Sequence, residues 1–284
     1  MTGASVQQAL RRALADTGVI AANRASGRIG LAVDSDGTRT RRKGVHEAGS
    51  LRVRFPNAQG DILEAVLINT AGGMTGGDEF SIRISLGEGA RLLAGTAAAE
   101  KIYRSTGADA NVALAIDAAA GSQCLWLPQE TILFDRARLS RRINVNLAAD
   151  ATLVMAEAIV FGRSAMGETV HKGSLRDRWR IRRGGRLIFA ENVRMDGTIA
   201  CKLAQSAVAA GAVAVATVLV VPGNDDSVAA ARAVSGQFSG EVGLSAWNGI
   251  AVARLCAPDG AALRRDLTLL MPVFGASLPR LWLQ

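Results

Sequence analysis

The sequence predicts a mainly β fold with a few short α-helices. Between residues 27 and 147 it breaks into short apolar runs separated by Gly, Asn and Asp, a pattern typical of strands joined by tight turns. Over residues 175–182, apolar and charged residues alternate with the period of a strand that has two different faces. Hydrophobic residues make up 49% and charged residues 20% of the 284, which is typical of a globular chain rather than a disordered or coiled-coil one.

The N-terminal segment differs in pattern from the rest of the chain. Val6, Leu10 and Leu14 recur at helical spacing, so residues 1–26 are predicted as an arm or a short amphipathic helix. Residues 27–284 contain neither a repeat of fixed period nor a linker, which predicts a single domain. Its first half is predicted to contain strands at residues 62–68, 80–86, 91–96, 112–116, 123–127, 143–147 and 152–156.

Residues 175–182 give the clearest local pattern. One face of this predicted strand carries three apolar residues and Asp177, and a buried Asp177 would need an arginine or backbone donors as partners. The opposite face carries four arginines, Arg176, Arg178, Arg180 and Arg182. Gly184 and Gly185 then form a two-residue turn, which predicts a hairpin whose second strand follows over residues 186–191.

The last third of the chain mixes strands and helices. Apolar, β-branched runs predict strands at residues 213–221 and 250–256. Asp225 and Asp226 can cap a short helix that continues to residue 233, and Asp259 can cap a final helix. The final helix would bury one apolar face made by Leu263, Leu267 and Leu270.

Composition narrows the functional classes. The formal net charge of +8 comes almost entirely from arginine and suits an acidic partner, whether nucleic acid, anionic lipid or protein. Cys124, Cys201 and Cys256 are far apart and form no C-x-x-C motif, which predicts reduced thiols and a cytoplasmic location. The chain has 2 histidines, which excludes His-rich metal sites. Residues 203–221 are apolar but interrupted by polar residues, which favours buried core over a membrane span.

No catalytic motif is complete. The loop 72–77, GGMTGG, has the glycine spacing of a phosphate-binding loop, but Asp78 follows where a lysine is required, so a tight turn is the better interpretation. Ser164 lies between glycines that are one residue too far apart for a nucleophile elbow. Glu168 and His171 have the spacing of half a di-iron ligand set, which needs the motif twice. The residues alone therefore favour a binding protein or scaffold over an enzyme.

Two further patterns leave alternatives open. The arginine-rich strand is interpreted as a solvated or internally paired face, as a protein-binding face, or third as a nucleic-acid-binding face, which no aromatic platform supports. The alternative function is a β-rich hydrolase that uses paired carboxylates. Glu130 and Glu157 are its candidates, although nothing in the sequence brings them together.

Several specific segments follow one another in a fixed order. They are AGGMTGGD at 71–78, EKIYRS at 100–105, WLPQETI at 126–132, FGRSAMGE at 161–168, RMDG at 194–197 and RLW at 280–282. From about residue 27 to the C-terminus, this combination resembles the UreD family of urease accessory proteins, called UreH in some organisms. The segments at 126–132 and 161–168 are specific in combination, whereas each alone would be weak.

The resemblance implies a fold, a function and a set of partners. The family fold is mainly β, layered, and helix-like in the winding of its strands. Its members are non-enzymatic chaperones of urease maturation, which bind apo-urease and a UreF-type protein and recruit a UreG-type GTPase. GTP hydrolysis then accompanies nickel insertion at a carbamylated lysine of urease. The resemblance implies no nucleic-acid or membrane partner, and no tightly bound cofactor beyond transient Ni²⁺.

Four carboxylates in or near the matching segments are the candidates for an ion path. A protein that passes Ni²⁺ on needs weak oxygen ligands, because several imidazoles or thiolates would hold the ion too tightly. The predicted ion-path residues are Asp78, Glu130, Glu157 and Glu168. The alternative for each is a structural pair with one of the many arginines. A partner-binding face is predicted on the C-terminal helix or on the arginine-rich strand, with Arg176, Arg178 and Arg180 as candidates.

Overall fold

Strands account for most of the structure, which confirms the predicted mainly β fold class. The computed structural model describes residues 24–56, 60–163 and 166–283. Residues 1–23 of the predicted N-terminal arm or helix lie outside these ranges, and the first strand begins at Ser26.

The strands are β1 (Ser26–Ser35), β2 (Thr40–Gly49), β3 (Leu51–Arg54), β4 (Leu63–Asn69), β5 (Glu79–Leu86), β6 (Arg91–Thr96), β7 (Glu100–Ile102), β8 (Ala110–Ala118), β9 (Gln123–Trp126), β10 (Thr131–Leu133), β11 (Arg138–Leu147), β12 (Thr152–Phe161), β13 (Lys172–Arg183), β14 (Arg186–Thr198), β15 (Ala214–Val221), β16 (Glu241–Trp247) and β17 (Ile250–Ala257). The helices are α1 (Ile199–Leu203), α2 (Asp225–Ser235) and α3 (Gly260–Val273), and a short 3-10 turn follows at Arg280–Trp282. In the described ranges, no helix combines the length and apolar character needed to cross a membrane.

The strands form two sheets that face each other. The first sheet has the order β14-β13-β11-β8-β5-β1-β2, and the second has the order β16-β17-β15-β12-β9-β6-β4-β3, with β10 and β7 attached beside β12. The strands from β1 to β13 in the first sheet pair in parallel, as do those from β4 to β12 in the second. Along the chain β5, β8, β11 and β13 alternate with β6, β9 and β12. The chain therefore crosses from one sheet to the other repeatedly, which gives the expected solenoid-like winding.

Two apolar layers hold this arrangement together. Because side chains alternate along a strand, the central strands of the second sheet contribute to both layers. Leu153 and Met155 of β12 are buried between the two sheets, whereas Val154 and Val160 are buried in the layer that also contains the apolar face of α3. Each fully buried aliphatic side chain of this size contributes roughly 1.5–3 kcal/mol. The layer between the sheets also encloses the charged residues described below.

Most predicted strands have counterparts, with some differences in length. β11 starts at Arg138 rather than at residue 143, and β12 ends at Phe161 rather than at residue 156. The predicted hairpin is present as β13 and β14, joined by Gly184 and Gly185, which both have positive φ. Strands β1, β2, β3, β7, β10 and β16 were not predicted. β2 and β16 have exposed side chains along one or both faces, and β3, β7 and β10 contain only 3 or 4 residues each.

The helix caps differ in part from the prediction. Asp259 caps α3 as predicted, and its side chain accepts a hydrogen bond from the Ala262 N–H at 2.8 Å. The cap of α2 is Asn224, whose side chain accepts a hydrogen bond from a backbone N–H three residues further on at 3.0 Å. Asp225 and Asp226 lie instead in the first turn, where carboxylates stabilise the positive end of the helix dipole.

Candidate functional site

Two cavities lie between the sheets and meet at one pair of charged side chains. The outer cavity has a volume of about 440 Å³ and lies where the sheets end in β14 and β16. The inner cavity has a volume of about 80 Å³ and is lined mainly by strands from the middle of both sheets. Among the described residues, Arg141 and Glu157 alone line both cavities. We call Arg141, Glu157 and Asp177 the charged septum, because they separate one cavity from the other.

The periodicity of three strands brings the septum together. Arg141 occupies a buried position on β11 whose neighbours on the same face are apolar, and Glu157 does the same on β12. Asp177 on β13 is in direct register with Arg141 in the first sheet. Because β12 belongs to the facing sheet, Glu157 approaches the same point from the opposite side.

The guanidinium of Arg141 donates hydrogen bonds to both carboxylates. Its Nε and Nη2 contact Oδ1 and Oδ2 of Asp177 at 3.0 and 2.6 Å, which is a two-point pair. Its Nη1 contacts Oε2 of Glu157. The other oxygen of Glu157 accepts a hydrogen bond from Trp126 Nε1 at 2.7 Å. The three charged residues are 3–6% exposed, so this network is almost removed from water.

The septum carries more negative than positive groups. Burial raises the pKa of Glu157, against the opposite effects of Arg141 and Trp126. Burial also lowers the pKa of Arg141, but the charges of Asp177 and Glu157 outweigh this effect, so the pKa is raised and the guanidinium stays charged. One cation shared by two carboxylates leaves an excess negative charge when both are ionised. In a low-dielectric interior, that excess favours a second positive charge nearby.

The outer cavity opens between two edge strands. Glu191 on β14 and Glu241 on β16 line it. Arg254 on β17 forms an ion pair with Glu191 and thereby joins the two sheets. The rings of Phe189 and Trp247 also meet across this gap, with their centroids 6.3 Å apart. An ion pair and a ring contact therefore link the two sheets beside this cavity.

Glu100 also lines the inner cavity and differs from the septum carboxylates. Burial raises its pKa to about 7, although a hydrogen bond from Asn69 lowers it in part. The Nδ2 of Asn69 contacts Oε1 of Glu100 at 3.0 Å. Within the described ranges, Glu100 has no ion pair with an arginine or lysine. It is therefore about half ionised near neutral pH.

Asp78, the first of the predicted ion-path carboxylates, supports a turn and lines neither cavity. It is 3% exposed, and its Oδ1 accepts a hydrogen bond from the Ala25 N–H at 2.9 Å. Its Oδ2 accepts one from the Thr75 N–H at 2.7 Å. Three glycines of the loop 72–77 have positive φ, in agreement with its interpretation as a tight turn.

Glu130 and Glu168, two further predicted ion-path carboxylates, lie in grooves outside the internal cavities. Glu130 pairs with Arg264, and Oε2 of Glu168 accepts a hydrogen bond from Arg163 Nε at 2.8 Å. The Arg163 guanidinium holds the pKa of Glu168 below its usual value. Of the four predicted ion-path residues, only Glu157 lines the cavities between the sheets, and the role of all four stays a prediction.

The arginine-rich strand β13 places its arginines on the outer face of the first sheet. Arg176 pairs with Asp109 at 3.5 Å. Arg180 donates hydrogen bonds to two backbone carbonyls of the hairpin. Arg178 is exposed and has no hydrogen bond or ion pair with any residue of the described ranges. The three candidate residues for partner binding thus differ in whether their guanidinium groups already form contacts within the chain.

The geometry does not support the alternative chemistries. Glu130 and Glu157 line different cavities and are each bonded to a different arginine, so they do not form a catalytic pair. Among the residues that the structure describes, no three His, Cys, Asp or Glu side chains are grouped so as to hold a metal ion. Ser164 of the incomplete nucleophile motif lies outside the described residues.

Sequence reasoning missed Arg141, Glu100, Glu191 and Glu241 as cavity residues. One signal was present for Arg141, because it interrupts the apolar face of a strand as Asp177 does on β13. The buried positions of opposite charge on β11 and β13, Arg141 and Asp177, could have been matched to each other. Glu191 carries the same signal, because it interrupts the apolar face that Phe189, Val193 and Met195 form on β14. Glu241 carries none, because it lies on the exposed face of β16.

Comparison with known proteins identifies the family. The model of a family described as UreD urease accessory protein matches residues 25–283. The chain is 53% identical to a urease accessory protein UreD of Rhodopseudomonas palustris over 95% of this chain and 94% of that protein. It is 51% identical to one of Bradyrhizobium diazoefficiens over 93% of this chain and 96% of that protein. These relatives are named as accessory proteins and not as enzymes, in agreement with the predicted non-catalytic role. The chain therefore belongs to the UreD family of urease accessory proteins.

Proposed function

We propose that this chain is a non-catalytic scaffold of urease maturation that also gives Ni²⁺ a path through its interior. It would bind apo-urease together with a UreF-type protein and recruit a UreG-type GTPase. Membership of the UreD family supports the maturation role. The observation that carries the path is the pair of internal cavities, which share Arg141 and Glu157.

The residues along the cavities suit a cargo ion that must be released. Glu191 and Glu241 line the outer cavity, Glu157 and Asp177 belong to the septum, and Glu100 lines the inner cavity. Oxygen ligands at separated points hold Ni²⁺ more weakly than a cluster of imidazoles or thiolates would. Such a path guides the ion without storing it.

GTP hydrolysis belongs to the partner in this proposal. The loop 72–77 of this chain has the carboxylate of Asp78 at its end, and that carboxylate already accepts two backbone hydrogen bonds. A nucleotide phosphate placed there would meet a negative charge. The UreG-type protein would therefore supply the nucleotide site.

The scaffold role is tested by co-expression. Tagged chain is produced with the urease subunits and the UreF- and UreG-type proteins, and urease activity and nickel content are measured with and without the chain. We expect stable co-purification, and loss of active urease when the chain is omitted. Unchanged urease activity without the chain would contradict the scaffold role.

The ion path is tested at the mouth of the outer cavity. Gly243 on β16 is in register with Arg254, lines this cavity, and has no heavy atom within 4 Å of where a Cβ would lie. We expect Gly243→Trp to narrow the mouth and lower the nickel content of urease severalfold, with co-purification retained. The matched control is Gly243→Ala, which should load nickel normally.

The four predicted carboxylates provide a second test of the path. Asp78→Asn, Glu130→Gln, Glu157→Gln and Glu168→Gln are compared at equal amounts of co-purified complex. An interior path predicts that Glu157→Gln lowers nickel incorporation more than the other three do. Full nickel loading by Glu157→Gln and by Gly243→Trp would rule out the path and leave the scaffold role intact.

A further inference from the structure

The outer face of the first sheet carries four exposed arginines that have no partner in the described ranges. They are Arg28 on β1, Arg83 on β5, Arg142 on β11 and Arg178 on β13, and all four are exposed. None of them forms a hydrogen bond, ion pair or ring contact with a described residue. We call these four residues the arginine face.

The register of the sheet places these charges in rows. Arg142 and Arg178 are direct neighbours on adjacent parallel strands, at a strand spacing of about 4.8 Å. Arg28 lies in the same row three strands away, which corresponds to about 14 Å. Arg83 lies on the strand next to Arg28, two residues further along. The face is therefore a defined pattern of positive charge and not a scatter of single residues.

The neighbouring pair of like charges points to an anionic ligand. Two guanidinium groups on adjacent strands repel each other, and like charges directly opposite are destabilising in a sheet. A carboxylate between them would relieve the repulsion. It could accept two parallel hydrogen bonds from the planar guanidinium group of either arginine. Arg142 and Arg178 thus provide binding capacity that nothing in the described ranges uses.

A groove connects the two ends of this row. It has a volume of about 500 Å³ and lies between Arg28 and Arg142, over the small side chains of Ser81 and Ala113. Its length of about 14 Å accommodates about four residues of an extended chain. Glu79 is the one carboxylate that lines it in the described ranges. The side chains of Ser81 and Ala113 are small enough for a peptide backbone to approach the sheet there.

We propose that the arginine face docks an extended acidic segment of a partner protein. Carboxylates of that segment would contact Arg142 and Arg178 at one end of the groove and Arg28 at the other. Nucleic acid fits this surface less well. Phe80 also lines the groove but is buried, so it offers no exposed ring for base stacking, and Glu79 would repel a phosphate backbone. The inference extends the partner-binding role proposed above, and its test does not use urease.

The test uses the full chain and a fluorescently labelled glutamate decapeptide at low salt, with binding measured by anisotropy. We expect the double variant Arg142→Glu/Arg178→Glu to bind about tenfold or more weakly, the change that corresponds to loss of one strong charged contact. The matched control is Arg186→Glu/Arg232→Glu, which changes the net charge equally at exposed positions outside the face. The control should bind nearly as well as the wild type.

Two further arms separate the outcomes. Arg142→Lys/Arg178→Lys keeps the charge but removes the planar guanidinium groups, so this variant is expected to bind the peptide more weakly than the wild type. Equal binding would overturn the recognition of carboxylates by the guanidinium groups. Single- and double-stranded oligonucleotides of matched charge are measured in parallel. Tighter binding of an oligonucleotide than of the peptide, lost in the Arg142→Glu/Arg178→Glu variant, would overturn the proposal of a protein partner. Equal losses in the face variant and in the control would overturn it as well.

Discussion

Strands β11 and β13 lie side by side, and the two faces of this pair carry different combinations of charge at neighbouring positions. On the inner face Arg141 is in register with Asp177, and on the outer face Arg142 is in register with Arg178. The inner pair is almost inaccessible to water and fully hydrogen-bonded, whereas the outer pair is exposed and has no partner in the described ranges. Burial requires matched charges, because an unpaired buried charge is strongly destabilising. Water screens the outer pair, so that surface can keep charges for a partner.

The largest expected effect tests the inner side of this comparison. Arg141→Met leaves the carboxylates of Glu157 and Asp177 buried without their shared cation. Loss of one partner of such a network costs about 3–5 kcal/mol of unfolding free energy. Urea denaturation of the purified protein measures it, with Arg142→Met on the outer face as the control. We expect the control to change stability by less than about 0.5 kcal/mol, and equal losses in both variants would remove the distinction between the faces.

Glu100 extends the comparison to a half-buried carboxylate without an arginine. Its pKa in the folded state is about 7, above the ordinary 4.5. The folded state therefore binds this proton more tightly than the unfolded state does, so the stabilisation is complete below pH 4.5 and is lost as the pH rises through 7. Relative to Glu100→Gln, the unfolding free energy of the wild type should fall by about 2–3 kcal/mol between pH 4.5 and pH 8.

Urea denaturation at a series of pH values measures this difference. Glu168→Gln serves as the control, because the pKa of Glu168 is lowered by Arg163 and its stabilisation is instead lost as the pH falls. Parallel stability curves for the wild type and Glu100→Gln would show that Glu100 titrates normally.

A smaller effect is expected when one of the two buried anions is neutralised. Glu157→Gln keeps an oxygen that can accept the hydrogen bond from Trp126, and Arg141 keeps its two-point pair with Asp177. We expect a loss of about 1–2 kcal/mol, because one charged hydrogen bond is weakened and no unpaired charge is left. Thermal and urea unfolding measure it. A loss as large as that of Arg141→Met would mean that the cation and the anion contribute alike.

The smallest effect, and one of opposite sign, is expected on the outer face. Arg178→Glu replaces a like-charge neighbour of Arg142 with an opposite charge on the adjacent strand. Cross-strand pairs of opposite charge stabilise a sheet by about 0.2–1 kcal/mol, so the variant should be slightly more stable than the wild type. The same variant should bind the glutamate peptide more weakly. A variant that loses both stability and peptide binding would show that Arg178 has a structural role instead.

Much of the fold could be predicted from local sequence patterns. The alternation over 175–182, the Gly184–Gly185 turn and the cap at Asp259 depend only on neighbouring residues, and all three are present in the structure. Short strands such as β7 and β10 could not be predicted in this way. They exist because β7 pairs in parallel with β10 and β10 pairs in parallel with β12, and these contacts join segments that are distant in sequence.

The sequence by itself determined the β class, the hairpin, the cap at Asp259 and the family, because these depend on local spacing or on short motifs in order. It also required a partner for Asp177 if that residue was buried. Only the tertiary structure decided that Arg141 is this partner and that Glu157 completes the septum, because the residues lie on strands of two facing sheets. The same holds for the arginine face, since Arg28, Arg142 and Arg178 become one row only when the register of five parallel strands is set. Such contacts follow from the winding of the whole chain, which no local pattern contains.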